Sequence, residues 1–312
     1  MQRLRFVASR GLNAILIALL VPFLALFLLG RAPGDYLSEL AANPQVSQST
    51  LAQMRQQYGL DQSLQKKYFL WVGNALSGDL GFSFVYQRPI REVIGARVWN
   101  TLLLNSVALA FSWIVGIALS LAATIPRRRG AEWAAGALAT LMSAIPAVLL
   151  ALILLAAALP LGLPIGGLTA HSVTDLLRHL FLPAIAVSVV WLPVVIRHTR
   201  AALDQAMREP YIVTARAKGL SRTAIVARHA LANARNPLAT FFGLSVSALL
   251  SASLAVEVVM GWPGMGQLTY DAVLKRDVFL VMDLAVISAL LLLVGNVIGD
   301  LLLYFSDPRL RS

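Results

Sequence analysis

The sequence predicts an all-α membrane protein with six transmembrane helices. Of its 312 residues, 58% are hydrophobic and only 13% charged, about half the roughly 25% charge of an ordinary soluble domain. The apolar residues run unbroken in stretches near the 20 residues that cross a bilayer, not scattered with the period of a large core. Lys and Arg then gather in alternate connecting segments, the asymmetry that sets orientation.

The first stretch, 12–30, follows Arg3, Arg5 and Arg10. It has the flanks of a signal peptide, but it is long for one and Gly30-Arg31-Ala32-Pro33 is a poor small-residue cleavage site. It is read as an uncleaved span. Further spans are expected over 101–125, 132–159, 180–196, 238–260 and 279–305. The fourth only just crosses a core of about 30 Å, while the last is long enough to tilt.

Segments 1–10, 126–130, 197–237 and 306–312 carry sixteen Lys and Arg, and the short opposite loops 160–179 and 261–278 carry three. Both termini are therefore expected in the cytoplasm. Loop 31–100 has seven basic residues, but long translocated segments escape that rule. It is placed outside. The chain thus divides into a tail and first helix (1–30), an extracytoplasmic loop domain (31–100) and a five-helix core (101–312).

The net charge of +11 fits cytoplasmic loops facing anionic lipid better than nucleic acid. The absence of cysteine excludes a disulfide framework, a thiolate metal site and a Cys nucleophile. His171, His179, His198 and His229 form no metal-ligand spacing. His171 and His179, in a short outer loop, are read as ordinary loop histidines, with contact to a metal cargo as the alternative. No Gly-rich phosphate loop occurs, since none of Lys66, Lys67, Lys218 and Lys275 follows a Gly and precedes Ser or Thr. The chain is not expected to be an enzyme.

In the outer loop, Ser47-Gln-Ser-Thr50 precedes a helix-like run to Tyr58, and a second run spans Lys66 to Leu76 before Gly78-Asp-Leu-Gly81. This reads as a small folded platform, either a cap over the helix ends or a docking surface.

Segment 197–237 reads as a bent helical pair. Pro210 suits a first helical position, Arg216 and Lys218 a last turn, and Gly219 a left-handed cap. Ser221 then caps a second helix running through Ile225 and His229 to about Ala234, which Asn236-Pro237 ends. Tyr211, Ile212, Ala215, Leu220 and Ile225 would form an apolar knob in a cationic collar, suited to a groove on another protein. A basic helix lying on anionic headgroups is the alternative.

Within the spans, Gly243, Ser247, Ser251 and Ala255 recur at spacing four, as do Ser112, Gly116 and Ser120. Small residues let helices approach in lipid, and these two sets, with Glu257, are the candidates to flank a pathway. Glu257, Asp283 and Asp300, with Asn105 and Asn296, are costly unless they face protein or water. Glu257 and Asp283 read equally as solvated anchors or as cargo contacts, and Asp300 as a partner of a basic loop residue. Pro22, Pro146, Pro183 and Pro193 are expected to kink or hinge their spans.

The run Tyr211-Ile-Val-Thr-Ala-Arg-Ala-Lys-Gly219-Leu-Ser221, with Arg228-His-Ala-Leu-Ala-Asn-Ala-Arg-Asn-Pro237, resembles the coupling loop of permease subunits of bacterial ABC importers. It is most similar to the dipeptide, oligopeptide and nickel branch. Six further motifs fall in the expected order: Arg31-Ala-Pro-Gly-Asp35, Gly59-Leu-Asp61 with Gly78-Asp-Leu-Gly81, Leu163-Pro-Ile-Gly-Gly167, Trp262-Pro-Gly-Met-Gly266, Arg276-Asp277 and Asp307-Pro-Arg309. Val213-Thr214-Ala215 stands where importer permeases often have Glu-Ala-Ala, and Ala232 and Arg235 also depart from the pattern.

The resemblance implies a type I ABC importer permease fold. It also implies a second permease subunit, two cytoplasmic ATPases that use ATP and Mg, and an extracytoplasmic solute-binding protein. No cofactor would be bound by this chain. Tyr211, Thr214, Ala215, Arg216, Ala217, Lys218, Gly219, Leu220 and Ser221 would contact an ATPase. Peptide is the expected cargo, with nickel or a metal chelate as alternative. A self-contained secondary transporter or channel is the rival of another class, and the absence of an internal repeat speaks against it.

Overall fold

A computed structural model describes residues 2–31, 61–126, 129–168, 172–247 and 253–306, with isolated positions between 41 and 56; the side chains of 2–14, 247, 303, 305 and 306 fall outside that description. The chain forms two compact units, one of 1–100 with 264–293 and one of 101–263 with 294–312.

In the first unit, α1 (Gln2–Arg31) carries Pro22 inside it, and α2 (Leu64–Leu76) packs against it. A short hairpin, β1 (Phe82–Ser83) with β2 (Arg88–Pro89), leads into α3 (Ile90–Thr124). The hairpin side is completed by α11 (Met265–Leu274) and the first half of α12 (Val278–Ser306), whose Leu268, Leu280 and Leu284 bury against Ile90 and Ile94.

The second unit is built around α6 (Val173–Ala206), most of whose apolar surface is covered. It is packed by α4 (Arg129–Ala144), α5 (Ala147–Ala158) and α9 (Leu231–Ser247), with α10 (Leu254–Met260) against α5. Between α6 and α9 lie α7 (Pro210–Ala217), the short α8 (Arg222–Ala224) and a π-helical segment, Ile225–Ala230.

Among the described residues, α3, α6 and α12 are long and apolar enough to cross a membrane, and α4 with α5, bent by 95° at their junction, passes the same test of length and composition only when the two are taken together. The break falls at Ile145-Pro146, where proline removes the backbone donor that would continue the helix. Pro183 and Pro193 instead lie inside the unbroken α6. The helices also exceed the apolar stretches, α6 beginning at Val173 and ending at Ala206, because helical hydrogen bonding continues into polar sequence.

Two expectations are corrected. Pro237 does not end the helix before the fifth span; it lies inside α9, which follows directly from the π-helical segment. An interior proline forfeits one donor and crowds the carbonyl four residues back, and the helix on either side of Pro237 carries through it. The second is the spacing-four stripe from Gly243 to Ala255. Ser253 is the N-cap of a separate helix, so Ala255 belongs to α10 and not α9; Ser251 lies outside the described residues.

Candidate functional site

The bent pair forms as local chemistry dictates. Glu209 is extended, Pro210 occupies the first turn of α7, and Lys218 caps its end. Gly219 then takes φ +75°, a left-handed conformation that L-side chains rarely adopt. The turn is closed by Gly219 N–H donating to the Arg216 carbonyl at 2.9 Å and Leu220 N–H to that of Ala215 at 3.3 Å. Ser221 Oγ accepts from Ala224 N at 3.3 Å and starts the second helix.

The knob's faces differ from the sequence expectation. Ile212, Ala215 and Ile225 are buried together, with Met207 and Tyr211 packed on them, and form the elbow's own small core. Positions 212 and 215 share one helical face, and the second helix folds back over it. The outward surface is Val213, Thr214, Arg216, Ala217, Lys218, Gly219, Leu220 and Ser221. Of the nine contact candidates, Ala215 points inward and Tyr211 is half-buried. Val213, 67% exposed, was not among them.

The elbow is tied to three helices of its unit. Tyr211 Oη donates to the Ala206 carbonyl at the end of α6, at 3.2 Å. The π-helical segment passes without a gap into α9. Arg222 spans to α3: Nε donates to the Ile125 carbonyl at 2.9 Å and Nη2 to that of Thr124 at 2.9 Å. A cation at a helix C-terminus meets the carbonyls that have no helical partner, and the helix dipole favours it. Arg222 was missed in the sequence. The available signal was an arginine just after a cap serine, with no glycine to cap the basic end of the second span.

In the membrane segments, Ser112, Gly116 and Ser120 are placed on one face of α3, against α6. Ser112 Oγ donates to the Ala108 carbonyl at 2.7 Å and lies 3.4 Å from that of Ser188. Ser120 repeats this with Gly116 at 2.7 Å and Ile196 at 3.3 Å. Gly243 of α9 meets the last helix: a Cβ there would lie 2.7 Å from the Gly299 carbonyl oxygen.

Glu257 is not solvated. It is fully buried, and Oε1 accepts from Thr101 Oγ1 at 2.9 Å and Ser253 Oγ at 2.8 Å. Asn105 extends the cluster by donating to Ser253 Oγ at 2.7 Å. The carboxylate therefore joins α3 to α10. Nearby, the end of the Leu163–Gly167 motif meets the residue just before the Trp262–Gly266 motif, as Gly167 N–H donates to the Gly261 carbonyl at 2.9 Å.

Asp283 is likewise buried, not solvated, with Trp71 Nε1 donating to it at 2.8 Å. Each carboxylate has a donor from a distant segment, Thr101 for Glu257 and Trp71 for Asp283, that is invisible in a local reading. Asp277 caps α12 through Leu280 N–H and holds the hairpin through Ser83 Oγ at 2.6 Å and Val85 N–H at 3.2 Å. Burial pushes its carboxyl up, and the Ser83 and Val85 donors pull it back. Tyr86 donates to Asp271 at 3.3 Å, and burial, with the Asp271 charge, raises its phenol.

His179 Nδ1 is 2.8 Å from the Asp175 carbonyl within α6, and His171 lies outside the described residues. So do the Arg31-Ala-Pro-Gly-Asp35 motif beyond Arg31, Asp307-Pro-Arg309 and most of the platform before Asp61.

Comparison with known proteins agrees with the motifs. The family described as "Binding-protein-dependent transport system inner membrane component" matches residues 97–312, and its N-terminal companion matches 3–105. The oligopeptide transport system permease protein AppB of Bacillus subtilis is 33% identical over 98% of this chain and 99% of its own length. The glutathione transport system permease protein GsiC of Salmonella choleraesuis is 33% identical over 99% of both. Among solved structures, an inward-facing form of the MetNI methionine ABC transporter aligns with TM-score 0.58 at 19% identity, over 70% of this chain and 98% of that one. The chain belongs to the family of binding-protein-dependent transport system inner membrane components and is a permease subunit of an ABC importer.

Proposed function

We propose that the chain forms half of a translocation pathway for peptides, including small ones such as glutathione. A solute-binding protein would deliver the cargo outside, and two ATPases inside, using ATP and Mg, would drive the transport. The observation that carries this reading is the elbow at 210–221, whose outward face is exposed while its inner face locks onto α6, α3 and α9. The printed names of the relatives, oligopeptide and glutathione permeases, support the cargo.

The membrane is crossed six times in this reading, by α1, α3, the bent pair α4 and α5, α6, α9 with α10, and α12, with both termini in the cytoplasm. The sixteen basic residues on that side support the orientation. A second permease subunit completes the pathway.

An ATPase closing on Thr214 to Ser221 would move the elbow as a rigid piece. Its three attachments would carry the motion into α3, α6 and α9, switching the side to which the cavity opens. The seam of Ser112, Gly116 and Ser120 against α6, and of Gly243 against Gly299, allows close packing without bulky knobs to unlock. These residues, with Ser247, Ser251 and Glu257, would flank the path.

Uptake of a labelled dipeptide, of glutathione and of nickel by a strain lacking this chain, with and without the gene restored, tests the cargo. Restored peptide or glutathione uptake is expected. Restoration of nickel uptake alone would favour the metal reading.

A further inference from the structure

We infer that α2, in the middle of loop 31–100, is not a water-exposed platform helix but lies in the leaflet at the Arg31 end of α1, with Phe69, Leu70 and Leu76 turned to lipid acyl chains. The inference rests on the reading of α1 as a membrane span.

Two independent markers give the depth. Tyr68 Oη donates to the Leu19 carbonyl at 2.7 Å, and Leu19 lies twelve residues before Arg31, about 18 Å along the helix axis at 1.5 Å per residue. The Tyr68 ring also meets Phe23 edge-on, centroids 5.5 Å apart. On the other side, Trp71 buries against Leu26 and Met282, and the same cluster reaches Val286. Val286 is eight residues into α12, about 12 Å below its start. A helix resting on the surface would touch only the ends of α1 and α12. This one touches both well inside their apolar stretches.

The composition of α2 changes along its length to match. Its first turn carries Gln65, Lys66 and Lys67 behind the Ser63 cap, and long basic side chains reach headgroups while their stems stay in the apolar layer. From Tyr68 to Leu76 no charged residue occurs. Trp71 is buried and Tyr68 half-buried, and both satisfy their polar tips on protein, as aromatic side chains do at membrane interfaces.

What covers the outward face follows from continuity. Phe69 is 71% exposed, Leu70 52% and Leu76 85%. The helix on which α2 packs, α1, itself presents Leu16, Leu20, Leu24 and Leu28, all exposed, in a stretch without charge. A span showing such a face has lipid against it, and α2 extends the same apolar surface. An interfacial helix with apolar residues on one face and lysines at its headgroup end is the expected occupant of that layer.

The chain has no cysteine, so single spin labels test the placement directly. Phe69→Cys, Leu70→Cys and Leu76→Cys are labelled in the complete importer in lipid nanodiscs, with Gln65→Cys and, on α1, Leu20→Cys as references. Collision with oxygen, which concentrates in lipid, is compared with collision with chromium oxalate, which stays in water. Oxygen is expected to dominate several-fold at 69, 70, 76 and 20, and the preference to reverse at 65. If 20 reports lipid while 69 and 76 report water, α2 is a surface helix and the inference fails alone. If 69 and 76 are shielded from both reagents, another protein subunit covers the face and the inference also fails. If 20 itself reports water, the spanning reading of α1 falls and takes the inference with it. Leu76, the most exposed of the three, carries the test should a substitution at 69 or 70 prevent assembly.

Discussion

A Cβ atom placed on Gly116 would lie 2.7 Å from Cγ1 of Val195. Helices α3 and α6 therefore touch backbone to side chain at this point, between the Ser112 and Ser120 hydroxyls that lean on carbonyls of α6. Gly116→Ala should cost about 1–3 kcal/mol, the range for overpacking, and lower the thermal stability of the purified subunit. Combining it with Val195→Ala, which empties the space, should recover much of that loss. Equal stability of the single variant and the wild type would mean that the helices are not in contact there.

Gly219 sits at φ +75° with open space around the position a Cβ would take, so backbone conformation alone penalises substitution. Gly219→Val should cost about 1–2 kcal/mol locally and straighten the elbow, leaving ATP hydrolysis by the assembled importer while abolishing uptake. Gly219→Asn, whose side chain tolerates the left-handed region, should keep most uptake. Both are read by uptake and phosphate release in the same proteoliposomes. Wild-type uptake by the valine variant would remove the elbow's bend from the mechanism.

Arg222 is expected to matter as the bolt between elbow and α3. Arg222→Ala removes a charge-assisted contact with the Thr124 and Ile125 carbonyls, about 1.5–3 kcal/mol for hydrogen bonds of this kind. Hydrogen exchange of the residues around Thr124 should speed up, while the exposed face of the elbow is untouched. Arg222→Lys should recover part of the protection, having one donor group in place of a fork. Unchanged exchange in the alanine variant would show that the bolt carries no load.

Glu257 offers a contrast between two substitutions. Glu257→Gln retains an oxygen for the Thr101 and Ser253 hydroxyls and should leave assembly near normal. Glu257→Ala strands both buried donors, at about 1–3 kcal/mol for each unsatisfied group. Yield and melting temperature of the two variants decide the matter. Equal loss in both would mean that the negative charge, not the hydrogen-bonded shape, is what the site requires.

What was legible in the sequence is what local chemistry settles. Pro210, Gly219 and Ser221 each require or favour one backbone geometry, and each takes it. The faces of the elbow were not legible, because Ile212 and Ala215 look outward until the second helix closes on them. Pro237 was misread for the opposite reason: its local preference is to end a helix, and the surrounding helix overrides it. Glu257 and Asp283 could be flagged as costly but not placed, since their donors, Thr101 and Trp71, are 156 and 212 residues away. Arg222 stayed hidden because it binds main-chain carbonyls, and its place just after a cap serine was the one sign of it in the sequence.

The most direct test of an ATP-coupled permease half is transport by the purified importer in sealed liposomes. This chain is reconstituted with the second permease and the ATPases of the proposed assembly, the binding protein and labelled peptide are supplied outside, and ATP with Mg is enclosed on the side of the elbow. Uphill accumulation is expected with ATP and not without it, and Gly219→Val should abolish it while hydrolysis continues. Accumulation by this chain alone, driven by an ion gradient with no ATPase present, would contradict it.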